Sequence, residues 1–169
     1  MRKMRKEVWI ACVVFLLDRL AKIAAREIPE GGMTLIPGVL GLRYTRNTGM
    51  AFSLLSGRPW LLGLLSLAVI VAAFLYLRNK DIPRLPMIGL MLMLGGAAGN
   101  MFDRFFTGYV TDMIELLFVY FAIFNPADIA LTIGCAIVVI SLLRGDGSGS
   151  SAKTGEDWQE SENIQADKT

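Results

Sequence analysis

Four apolar runs divide the chain, at residues 8–25, 61–77, 87–106 and 126–143. Read as helices rising roughly 1.5 Å per residue, they predict four spans of a hydrocarbon core about 30 Å thick. The first run follows a basic stretch, MRKMRKE, which makes a cleaved secretory signal the alternative reading. Asp18, Arg19 and Lys22 interrupt the approach to any cleavage site after Ala24-Ala25, and Ile23 is a poor residue beside one, so a retained span fits better. In the third run Gly95-x-x-x-Gly99 and Ala97-Ala98 have the small-residue spacing of closely packed membrane helices. Residues 26–60 are mixed and broken by Gly31-Gly32, Pro37-Gly38 and Gly57, with a weak alternation over 39–45 that predicts a short strand. After Arg144 the character changes to GDGSGSS and then an acidic, polar mixture that cannot bury a core. The expected organisation is a four-helix membrane domain over 1–144 and a disordered polar cytoplasmic tail over 145–169.

Charge orients the spans. Arg2, Lys3, Arg5, Lys6, Arg78, Lys80, Arg84 and Arg144 fall on one side if both termini are cytoplasmic, while residues 107–124 carry no Lys or Arg. Arg26, Arg43, Arg46 and Arg58 then lie outside, against the trend. On this map Asp18, Lys22, Asn47, Asn100, Asp103, Arg104, Asp112, Asn125 and Asp128 gather at or near the outer face. Residues 99–128 concentrate them. Asn100, Asp103 and Arg104 are spaced as helix-face neighbours, and Asp112 stands between Val110 and Met113-Ile114. Asn125-Pro126-Ala127-Asp128 reads as a helix start, with Asn at the cap, Pro at the first position and Asp in the first turn.

Composition narrows the chemistry. The hydrophobic fraction is 54% and 19% of residues are charged, with a mean hydropathy of +0.51, a membrane class of sequence. A net charge of +2 without a basic, aromatic-interleaved stripe argues against nucleic acid as a partner. There is no histidine, which removes the Ser-His-Asp triad, the Cys-His pair and His-ligated zinc together. Cys12 and Cys135 sit inside apolar runs without C-x-x-C spacing and read as buried small hydrophobes. Neither a metal nor a cofactor is expected.

Two aspartates that share one proton can hydrolyse a peptide without histidine or metal. At close range they cannot both stay ionised. The ionised one takes a proton from the attacking water, and the protonated one polarises the carbonyl and then protonates the leaving amine. Asp112 and Asp128 would meet at the same membrane surface, the latter beside the free N–H groups of a helix start. Which one begins as the base belongs to a coupled titration. On spacing alone the plainer roles, a helix-start carboxylate for Asp128 and a turn or strand-edge residue for Asp112, are the commoner ones at membrane edges.

GNMFDR at 99–104, VTDMIE at 110–115 and FNPAD at 124–128, in this order, resemble the motif set of the type II signal peptidases, the bacterial lipoprotein signal peptidase family. Asp18-Arg19-Leu20-Ala21-Lys22 and Asn47-Thr48-Gly49-Met50-Ala51-Phe52 are similar to its two upstream motifs, with Ala21 where a hydroxyl residue is frequent and Met50 where Ala is frequent. The likeness covers residues 8–143. It implies an α-helical integral membrane protein of four transmembrane helices with a small extracytoplasmic β-sheet in the bacterial cytoplasmic (inner) membrane; a monomer is the expected state, although the sequence leaves oligomeric state open. It implies an aspartyl endopeptidase with Asp112 and Asp128 as the catalytic pair. The substrate would be a prolipoprotein whose Cys carries diacylglycerol, cut just before that Cys, with membrane lipid as the surrounding partner. By the same resemblance Asn47, Asn100, Arg104 and Asn125 line the site, Asp18 and Lys22 brace it, Asp103 is a structural hydrogen-bonding carboxylate and Gly49 makes the adjoining turn. Met50, Phe52, Met113, Ile114 and Phe124 are apolar candidates for the substrate groove. Three rivals remain: a proton relay through Asp18, Asp103, Asp112 and Asp128, an anchoring protein held by its polar cluster, and a Ser-Lys protease of Lys22 with Ser53 or Ser56. A relay needs carboxylates spread through the membrane's depth, and here they gather at one level.

Overall fold

The computed structural model describes residues 6–49, 57–78, 80 and 82–144. The expectations for Arg2, Lys3, Arg5, Met50, Ala51, Phe52, Ser53, Ser56 and the tail at 145–169 lie outside these residues. The four apolar runs are four helices: α1 at Val8–Ala24, α2 at Pro59–Leu77, α3 at Arg84–Phe106 and α4 at Pro126–Leu143. A single 3-10 turn, Ala25–Glu27, carries α1 into the sheet. Three antiparallel strands, β1 at Met33–Ile36, β2 at Leu40–Asn47 and β3 at Val110–Leu116, form that sheet in sequence order.

Two of the strands were not legible. β3 is VTDMIEL, buried over its first four residues without alternation, so it lacks the period-two signature of a half-exposed strand. β1 is only four residues long and exposed throughout. The predicted strand at 39–45 is β2, shifted by one residue at its start and extended to Asn47.

α2, α3 and α4 are each long and apolar enough to cross a membrane. At 17 residues, with Asp18, Arg19 and Lys22 near its end, α1 is shorter and more polar than these three. α3 is the central helix and packs against α1, α2 and α4. Its glycines make that possible. A methyl group on Gly95 would meet the Ala11 carbonyl of α1 at 2.7 Å, and one on Gly96 the Ala127 carbonyl of α4 at 2.5 Å. One on Gly99 would collide with the Asp18 carboxylate. The small-residue stripe therefore serves two neighbours, α1 from Gly95 and Gly99, and α4 from Gly96.

Cys12 and Cys135 are exposed, not buried as expected, because each lies on the outward side of its helix. The same sides carry Leu16, Leu20, Val139 and Leu142, also exposed. In an integral membrane protein that surface faces lipid, so an apolar run does not by itself imply burial in protein. The sheet is differently clothed. Arg43 pairs with Glu115 at 3.1 Å, and the Arg46 guanidinium lies 5.0 Å from the centre of the Tyr109 ring.

Replacing Gly96 by Ala is expected to cost about 1–3 kcal/mol of stability, because backbone on α4 must move. Gly31→Ala, which adds a methyl into open space, should stay within about 0.5 kcal/mol, both read by denaturant unfolding in detergent.

Candidate active site

The start of α4 sets one half of the site. Asn125 is fully buried, and its side-chain oxygen accepts the Asp128 N–H at 3.0 Å. The Asp128 carboxylate in turn accepts the Asn125 N–H at 3.2 Å, with Pro126 at the first helical position. This is the reciprocal cap expected of Asn-Pro-Ala-Asp. Unlike an ordinary cap, it reaches outwards as well. The Asn125 amide nitrogen donates to Asp112 Oδ1 at 2.6 Å, tying the two aspartates' surroundings together.

β3 holds Asp112 in register with Thr45 of β2, and two residues further along β2 comes Asn47. Asn47 Nδ2 donates to Asp112 Oδ2 at 3.0 Å while its oxygen accepts the Gly49 N–H at 3.0 Å. Asn100 of α3 does the equivalent for Asp128, donating to Oδ1 at 2.8 Å while its own oxygen accepts from Lys22 Nζ at 2.8 Å. Arg104 donates to the carbonyls of Asn100 at 3.4 Å and Gly49 at 3.3 Å, joining the turn after β2 to α3.

One rule governs all three asparagines. Each amide oxygen accepts from a group that can only donate: a backbone N–H for Asn47 and Asn125, an ammonium for Asn100. The amide NH2 must then face the aspartate. Both oxygens of both carboxylates receive one N–H each, an arrangement that a flipped asparagine would break.

Beneath the aspartates lies a group of four charges. Lys22 Nζ reaches Asp18 at 3.0 Å, Asp103 at 2.9 Å and Asn100 at 2.8 Å, so its three donors are all used. Arg19 completes the set with Asp103 at 2.6 Å and Asp18 at 3.0 Å, and its guanidinium lies 5.0 Å from the Phe102 ring centre. Asp18 also accepts the Ala127 N–H at 3.2 Å, and Asp103 the Thr111 N–H at 3.2 Å. The cations on Asp103 are Arg19 and Lys22, while neighbouring Arg104 turns to the carbonyls of Asn100 and Gly49. Arg19 is the residue that sequence reasoning passed over. Its second carboxylate, Asp103, lies 84 residues away, and only the fold brings it within reach.

Asp112 and Asp128 both line one cavity of about 460 Å3, with Asn47, Gly49, Asn100 and Arg104. The apolar lining comes from Leu116, the 121–124 segment, Ile129 and Ile133. Of the groove candidates Phe124 is there, whereas Met113 is buried in the protein and Ile114 pairs with Phe124. Burial pushes the Asp112 carboxyl up to about 6, and the nearby Asp128 charge adds to the rise, while the Asn125 and Asn47 N–H groups work against it.

The family model described as Signal peptidase (SPase) II matches residues 10–144. The lipoprotein signal peptidase of Latilactobacillus sakei is 45% identical over 111 residues, covering 65% of this chain and 74% of its own. That of Streptococcus pneumoniae is 37% identical over 153 residues, covering 87% of this chain and 100% of its own. A bacterial membrane enzyme solved by the in meso method at 2.3 Å superposes with a TM-score of 0.76 and 31% identity, over 88% of this chain and 93% of that one. A second, at 1.9 Å, gives 0.72 and 34%, over 81% and 92%.

Because the folded-state pKa of Asp112 is raised, the folded protein holds that proton more tightly than the unfolded chain does. The stability this contributes is complete below about pH 4 and is lost as pH rises through about 6. Wild type should therefore lose about 3 kcal/mol between pH 4 and 7.5 relative to Asp112→Asn. Unfolding free energies of the two proteins in detergent across that range check the slope.

Proposed function

The chain belongs to the signal peptidase II family, and on that premise we propose that it is an intramembrane aspartyl endopeptidase with Asp112 and Asp128 as its dyad. It removes the signal peptide from diacylglyceryl-modified prolipoproteins by cleaving just before the lipidated Cys. The observation that carries the reading is the convergence of two carboxylates from separate elements on one cavity, each oxygen held by a donor of fixed polarity. Such donors keep the carboxylates oriented while leaving lone pairs for a shared proton and a water molecule.

In the proposed reaction one aspartate, ionised, takes a proton from the water as its oxygen bonds to the scissile carbonyl carbon. The other, protonated, donates a hydrogen bond to the carbonyl oxygen and then gives its proton to the leaving amine as the C–N bond breaks, so the pair, having gained the water's proton, again shares one proton. Asn47, Asn100, Asn125 and Arg104 keep the pair and the neighbouring backbone in place. The four charges of Asp18, Arg19, Lys22 and Asp103 form the floor. Water is scarce at the bilayer midplane and plentiful at its edge, which favours a hydrolytic site at one end of the helices. The orientation that follows puts both termini in the cytoplasm and the sheet and site at the outer face of a bacterial inner membrane. The protein works there as a monomer among its lipids, and residues 145–169 form a polar tail outside the membrane domain 1–144.

Purified protein in liposomes, given a diacylglyceryl-modified prolipoprotein, should release the signal peptide. Asp112→Asn and Asp128→Asn should each lower the rate by about 10²–10⁴-fold while still binding substrate. Release surviving either change at the wild-type rate rules out the dyad and reopens the Ser-Lys alternative. Lys22→Met tests the floor. It frees the Asn100 amide to turn, so kcat should fall about 10²-fold with KM little changed, because the apolar lining of the cavity is untouched.

A further inference from the structure

Phe124 is bonded to β3 as a strand residue would be. Its N–H donates to the Ile114 carbonyl at 3.1 Å, and its carbonyl accepts the Ile114 N–H at 2.8 Å. Where two antiparallel residues exchange both bonds, the next residue along turns its N–H and C=O to the opposite edge. Ile123 therefore directs its main-chain groups away from β3, the last strand of the sheet among the described residues. Residues 118–123 make no hydrogen bond to any described residue. An unpaired edge of this kind is a template on which another extended chain can add.

The surroundings of the edge identify its occupant. Phe121, Ala122, Ile123 and Phe124 all line the cavity that holds Asp112 and Asp128. Successive side chains of an extended segment point to opposite sides, so neighbours in a row share one cavity because the main chain itself borders it. A peptide whose scissile carbonyl lies between the aspartates brings further N–H and C=O groups into the same apolar space. Each costs free energy there if it is left without a partner. The asparagines beside the dyad are already committed. The NH2 ends of Asn47, Asn100 and Asn125 hold the carboxylates, and their oxygens accept from the Gly49 N–H, Lys22 Nζ and the Asp128 N–H. Ile123 offers a free donor and a free acceptor together, which is what a peptide main chain needs.

We propose that the main chain of Ile123 is a substrate-binding edge. The prolipoprotein segment at the cleaved bond lies extended beside residues 121–123 as an added strand, exchanging N–H···O=C bonds with Ile123. The proposal rests on the endopeptidase reading above and deepens it. Main-chain pairing fixes the position of the scissile carbonyl whatever the side chains are, and leaves side-chain preference to the apolar lining.

Diacylglyceryl-modified prolipoprotein peptides in which one main-chain amide is replaced by an ester, position by position on either side of the cleaved bond, test the pairing. With the wild-type protein in liposomes, kcat/KM should fall by about 3–10-fold at alternate positions, since only every second residue faces a given edge. Ile123→Pro removes the N–H and keeps the carbonyl, a change that an outer strand edge accommodates. In that variant the ester that weakens the carbonyl receiving the Ile123 N–H should lose its effect, whereas Ile123→Ala, which keeps the N–H, should retain it. Should Ile123→Pro not fold, the α-hydroxy analogue of isoleucine at 123, which replaces the N–H by oxygen, takes its place. A flat scan with the wild type, or losses at consecutive positions, overturns the proposal. So does an alternating pattern that removal of the Ile123 N–H leaves intact, because another edge then holds the peptide. Cleavage of the all-amide peptide with a flat ester scan leaves the endopeptidase reading standing and removes this proposal alone. No cleavage of the all-amide peptide overturns that reading and takes the proposal with it.

Discussion

Everything at the polar end of this molecule depends on four charges placed where lipid-facing helices meet. Asp18, Arg19, Lys22 and Asp103 are buried or nearly so, and each cation touches both carboxylates. The set is neutral as a whole, which is what allows it to exist away from water. Removing one member of such a group leaves an uncompensated buried charge, costing about 3–5 kcal/mol. Its outward bonds matter as much as its inner ones. Asp18 holds the Ala127 N–H of α4, Asp103 the Thr111 N–H of β3, and Lys22 the Asn100 oxygen. Through these, α1 locates the elements that carry both candidate catalytic aspartates.

The asparagines convert that placement into orientation. An amide side chain has a donor end and an acceptor end and can turn over, so its direction has to be set by its second partner. Here each second partner is a pure donor, and the amides have one satisfactory direction. The consequence is a pair of carboxylates with one N–H on each oxygen, assembled without histidine. The same buried surroundings that hold Asp112 also raise its proton affinity, so positioning and acid–base behaviour have a common origin.

The other constraint is that the surrounding medium is not water. Helix surfaces that would be errors in a soluble protein, such as Leu16 and Leu20 of α1 or the two exposed cysteines, are ordinary where lipid covers them. The core is accordingly sparse in large apolar residues and rich in glycine contacts. Gly95, Gly96 and Gly99 bring the backbones close, since packing and polar bonds, not hydrophobic burial between helices, hold membrane helices together.

What could be read from the chain alone follows from periodicity and local chemistry. The four helices were legible because apolar runs of that length have few other uses, and the α4 cap because Asn-Pro-Ala-Asp satisfies its own backbone. The aspartates stood out as costly residues near apolar surroundings. β3 was hidden, since a strand buried on both faces gives no alternation, and so was the part played by Arg19, whose second carboxylate lies 84 residues away. The direction of each asparagine, the pairing of Asp103 and the lining of the cavity were decided only by tertiary structure. Each depends on a donor or surface supplied by a distant element, and sequence spacing carries no record of which groups the fold brings together.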